Sequence, residues 1–124
     1  MANIILYKSS CVSAFIHILF FINIRCKYDI LFYIIISGLI TSILNHKYTD
    51  DKLKYLDRLM MCIGATNHIY YIYFHIYYFI LYIFLLLCIL LYLCAKITIS
   101  KKHSNILHML SHILLTIVHI TLLI

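Results

Sequence analysis

From Leu59 to Cys94 the chain runs for about 36 residues without a single Asp, Glu, Lys or Arg. That is too long for one helix across a hydrocarbon core of about 30 Å and just long enough for two helices tightly joined. The block is the extreme case of a pattern that fills the sequence: apolar stretches divided by short charged ones, with no proline anywhere. A soluble domain is about a quarter charged, whereas 11% of these 124 residues are charged and 65% are hydrophobic. A domain this small buries only part of its surface, so lipid has to cover the rest. The expected fold class is all-α, a polytopic transmembrane helical bundle of about five spans. An AT-rich reading frame would give the same bias toward Ile, Leu, Tyr, Phe and Lys, so function has to be read from the placement of the polar residues.

The polar interruptions set the expected spans at about 4–24, 30–46, 57–74, 76–95 and 105–124, one transmembrane domain without repeats or Gly/Ser linkers. Lys8 stands near the start of the first span, where its side chain can snorkel to the interface. The run after it ends at Asn23-Ile24-Arg25-Cys26 without a small-residue cleavage site, so it reads as a retained anchor. Within the long block, the aromatic-rich stretch from His68 to Tyr78 matches a bilayer interface, which places the turn near His75.

Charge asymmetry tests that division. With two helices in the long block, Lys8, the 47–58 loop and the 96–102 loop share one side, and only Arg25 and Lys27 lie on the other. With one helix the basic residues divide evenly. The positive-inside rule prefers five spans with a cytoplasmic amino terminus. The formal charge of +6 is dispersed between apolar stretches rather than gathered on one face, which excludes nucleic acid as the expected partner. The bilayer itself is the partner expected. The five cysteines are odd in number and form no C-x-x-C pair, so they read as small apolar fillers rather than a disulfide frame or zinc knuckle.

Ionisable groups within a membrane segment are costly and mark candidate sites. Ser42 and His46 are four apart at the end of the second span, hence on one helical face. Asp57 follows His46 by eleven residues, and His108 and His112 are again four apart at the start of the last span. An i, i+4 histidine pair can grip zinc from one side, with a third imidazole completing a three-ligand set. Two helices between His46 and His108 would bring both to the same side of the membrane.

The stretch Ser42-Ile43-Leu44-Asn45-His46, then Asp57, then His108-Met109-Leu110-Ser111-His112 resembles the motif set of the CREST superfamily. That superfamily includes the alkaline ceramidases, the adiponectin and progestin receptors, and proteins that remodel GPI anchors. The resemblance covers about a fifth of the chain and implies zinc held by His46, His108 and His112. It implies that Ser42 and Asp57 contact the water activated there, with a lipid amide or ester as substrate. Members have seven helices, so a five-span chain would have a reduced lipid cavity or one completed by a second copy in a homo-oligomer.

A plainer reading stands beside this one. His108 and His112 serve as packing or interface residues, Asp57 favours a helix dipole, and Ser42 back-bonds within its own helix. The chain is then a small non-catalytic membrane scaffold or assembly protein. An intermediate reading keeps the metal for stability without hydrolysis. His17, His68, His75 and His119 match no motif and read as packing or interface residues, with His119 on the face of His112.

Overall fold

The computed structural model describes residues 3–23, 29–74 and 79–123. Five helices follow in order: α1 (Ile4–Asn23), α2 (Asp29–Lys47), α3 (Asp51–Tyr73), α4 (Phe79–Ile97) and α5 (Lys101–Leu123), with no strand among the described residues. The long uncharged block is therefore two helices. The turn expected near His75 lies outside the described residues.

Helix boundaries follow local chemistry. Asn3 caps α1, its Oδ1 accepting from the Leu6 amide at 3.2 Å, and Asp50 caps α3 through the Lys52 amide at 2.8 Å. Both satisfy amide groups that the first helical turn cannot satisfy itself. Asp50 starts α3 six residues ahead of the expected span, so Asp51, Lys52, Lys54, Asp57 and Arg58 form its opening turns. α1, α2, α4 and α5 are long and apolar enough to cross a membrane, and α3, with this charged start, falls below that mark. The chain is a multi-pass integral membrane protein.

The helices form a ring in the order α3, α2, α1, α5, α4. α4 packs most extensively on α5, α2 on α3, and α1 bridges α2 and α5, while α3 and α4 meet only sparsely. The outer surface is apolar: Phe15, Ile18, Leu86, Leu90 and Leu93 are all more than half exposed. The buried residues are polar as often as apolar, with Ser10, His17 and His68 at 2% exposure or less. That inversion suits a molecule whose surroundings are hydrocarbon. An apolar cluster of Leu31, Ile35, Ile72, Leu81, Leu85, Val118 and Leu122 closes the interior toward the end of the bundle where α2 and α4 begin.

α1 and α5 are joined by a ladder of side chains. Asn3 Nδ2 donates to Asn105 Oδ1 at 2.8 Å, Ser9 Oγ meets His112 Nδ1 at 3.4 Å, Ser13 Oγ meets Thr116 Oγ1 at 2.6 Å, and His17 Nε2 meets His119 Nδ1 at 3.0 Å. Numbers rise together on both helices, so α1 and α5 run parallel, as alternating up and down helices require of the first and fifth. The Asn3 amide also donates to the His46 carbonyl at 3.1 Å. The start of α1, the end of α2 and the start of α5 therefore share one end of the bundle.

Hydroxyl oxygens 2.6 Å apart place two β-carbons where a disulfide can form. In a background lacking the native cysteines, Ser13→Cys with Thr116→Cys should cross-link on oxidation. Ser9→Cys with Thr116→Cys, one turn out of register, should not. Limited proteolysis followed by a non-reducing gel reads the difference, and equal cross-linking of the two pairs would contradict the parallel register.

Candidate functional site

His46 lies in the last turn of α2, and His108 and His112 lie one turn apart on α5. The parallel ladder and the Asn3–His46 contact bring those two segments together. One ligand nitrogen from each ring lies within 4.8 Å of the other two. The ring centroids are 5.3 Å apart for His46 and His108, 5.8 Å for His46 and His112, and 4.8 Å for His108 and His112. Three nitrogens no more than 4.8 Å apart lie within about 2.8 Å of a common point, against zinc–nitrogen bonds of about 2.0–2.1 Å. Side-chain rotations of under about 1 Å would close the set to bonding distance.

The donor chemistry fits a cation. His46 Nε2 is buried and has no hydrogen-bond partner, an unfavourable state for a neutral polar atom unless something else occupies its lone pair. His46 and His108 are buried and His112 is half-buried. The Ser9 hydroxyl at His112 Nδ1 can hold that ring's tautomer with Nε2 as the free lone pair, the service that outer hydrogen bonds give to ligating histidines. Tyr92 packs edge-on against His108, with ring centroids 5.2 Å apart.

Ser42 and Asp57 line the same cavity as His108 and His112. Each already has a partner: Ser42 Oγ lies 3.1 Å from Ser10 Oγ, and Asp57 Oδ2 accepts from Asn45 Nδ2 at 2.7 Å. Asn45, between the two motif residues in sequence, thus ties the end of α2 to the start of α3. The cavity has a volume of about 330 Å³, and its walls are mainly apolar, including Ile34, Leu39, Met60, Leu85 and Leu115. Met61 of α3 and Ile89 of α4 line it while remaining 40% and 37% exposed. The cavity therefore reaches the outer surface along the seam where α3 and α4 meet sparsely.

Three histidines read from the sequence as packing residues gather deeper in the bundle. His17 and His119 are hydrogen-bonded, the rings of His68 and His119 are centred 4.8 Å apart, and His68 and His119 line the cavity. Only the position of His119, seven residues beyond His112, hinted at this grouping. His17 and His68 are isolated in sequence and meet through the fold alone. His75 lies outside the described residues.

No protein-family model, curated protein or solved structure matches this chain.

The Asn45–Asp57 bond joins a carboxylate that is 7% exposed to its one side-chain donor among the described residues. Asn45→Leu should lower stability by about 1–3 kcal/mol, the cost of leaving a buried acceptor unmet. Thermal unfolding in detergent would measure it, with Asn67→Leu as control. The half-buried Asn67 amide back-bonds to its own helix.

Proposed function

We propose that His46, His108 and His112 hold a zinc ion and that the protein hydrolyses an amide or ester bond of a lipid lodged in the cavity. The protein would then be a shortened relative of the CREST superfamily. The observation that carries this reading is the convergence of three imidazoles from two distant motifs, one of them, His46, with a buried Nε2 that has no partner. When bound, zinc would lower the pKa of water toward about 7 and polarise the lipid carbonyl.

The chain's own residues would do the rest. Asp57 keeps one carboxylate oxygen fixed by Asn45 and has the other available to take a proton from the attacking water. If Ser10 donates to Ser42, the Ser42 hydrogen is free to point into the cavity and stabilise a developing oxyanion. The apolar walls would hold the acyl chain and keep bulk water out. The opening between α3 and α4 gives a lipid a route from the hydrocarbon without leaving the membrane.

One observation favours a second reading, a small non-catalytic membrane scaffold. Ser42 and Asp57 both have structural partners, as residues kept for packing would.

Purified protein should carry about one zinc per chain, and the His108→Ala, His112→Ala double variant should carry none. Because ligating imidazoles must be neutral, occupancy should fall on acidification. Against a panel of lipid amides and esters, Asp57→Asn should cut turnover by about 10²–10⁴-fold with zinc retained. Zinc without turnover would support a structural metal, and no zinc would leave the scaffold reading.

A further inference from the structure

The deeper histidines have their proton positions set by their partners. His17 Nδ1 lies 2.7 Å from the Ser13 carbonyl, which can only accept. Nδ1 therefore carries the hydrogen, and in a neutral ring Nε2 is an acceptor. His119 Nδ1, 3.0 Å from that Nε2, must then be the donor, which leaves the lone pair of His119 on its own Nε2. His68 repeats the pattern: Nδ1 donates to the Gly64 carbonyl, and Nε2 is left as a bare acceptor. His68 is 2% exposed, and its Nε2 has no partner.

His68 and His119, with rings centred 4.8 Å apart, thus bring two acceptors to the wall of the cavity, away from the Asp57, His108 and His112 end. The group that satisfies them has to donate. A zinc ion is a poor candidate, since two imidazoles fall short of a ligand set and the third ring, His17, has already spent its Nε2 on His119. Hydrocarbon alone is no better, because it leaves the buried His68 Nε2 unmet. The ligand class that meets both requirements is a lipid with a hydrogen-bond donor within its chain. His119 lies seven residues along α5 from His112, or roughly 10 Å by helical rise, which sets the spacing between the two polar points of the cavity.

We propose that His68 and His119 form a second recognition point in the cavity, accepting hydrogen bonds from a hydroxyl or amide N–H carried part-way along a lipid chain. This rests on the reading that a lipid occupies the cavity, but not on zinc or on hydrolysis. The consequence is selectivity: a chain with a mid-chain donor should bind better than the same chain without one.

The test compares 10-hydroxyoctadecanoic acid with octadecanoic acid on the full-length protein in detergent, with binding measured by native mass spectrometry. The hydroxylated acid should bind about tenfold more tightly, the worth of one buried hydrogen bond made or left unmade. His68→Leu should erase that preference while leaving the zinc content unchanged. The second measurement needs no variant: the ¹⁵N resonance of His68 Nε2 in the wild type should move from a bare lone pair to a hydrogen-bonded one as the hydroxylated acid is added. Equal binding of the two acids, no binding of either, or a preference that survives His68→Leu would overturn the proposal. So would an Nε2 resonance that is already hydrogen-bonded to water or that responds to added zinc instead. Zinc content is measured on the same samples, so loss of this recognition point and loss of the metal site give different results.

Discussion

In a bilayer no water waits to satisfy a stray polar group, so polar side chains in this bundle are met by their own helix or inside the ring of helices. That constraint produces the inverted distribution, with Leu86, Leu90 and Leu93 facing out while Ser10, His17 and His68 face in. It also explains the ladder between α1 and α5. Hydrophobic association gives little preference between helices in lipid, where interhelical hydrogen bonds and close packing decide the register. Each rung, from Asn3–Asn105 to His17–His119, matches a donor to an acceptor at one register only. Sliding either helix by a turn would leave several buried polar atoms unmet at once.

The candidate site is a consequence of that register. His108 and His112 would face the interior on any well-packed α5, but their height relative to His46 depends on α1, which joins α5 by its ladder and α2 by the Asn3–His46 and Ser10–Ser42 contacts. α1 contributes none of the three convergent imidazoles and yet sets their spacing. Ser9 does the same at closer range by approaching His112 Nδ1. α3 is placed by a single buried bond, Asn45–Asp57, and by its packing on α2.

Much of this was legible from residue spacing. The uncharged block from Leu59 to Cys94 demanded two helices, and the even number of helices between His46 and His108 demanded that they share an end. The i, i+4 pairs placed their members on common faces because helical periodicity is local. The extent of α3 was not legible, because an apolarity count ignores the capping strength of Asp50, which carries the helix through a charged segment. Nor were the partners of Ser9, Ser10 and Ser13, since a serine in a membrane helix reads equally well as bonded to its own backbone. The grouping of His17, His68 and His119 depends on three helices meeting at one level, which no spacing within a single helix encodes.

The two histidine groups differ in what they leave unmet, and that difference bears on how one cavity can serve both. At the end of the bundle, one nitrogen of His46 belongs to a set of three that lie close together, a geometry suited to a cation. Deeper in, the chain from the Ser13 carbonyl through His17 to His119 uses up its donors one by one and ends in an acceptor on the ring packed against His68, whose own Nε2 has no partner. A ring of helices with one loosely packed seam, between α3 and α4, can admit a long apolar molecule without disturbing the ladder on its far side. The side of the bundle built from α1, α2 and α5 is fixed by hydrogen bonds. The side built from α3 and α4 relies on Tyr82 reaching the Ile69 carbonyl at 3.3 Å and a few apolar contacts. The polar interior that holds the register therefore also leaves the weakest contact between ring neighbours beside the cavity, where hydrocarbon is the neighbouring phase.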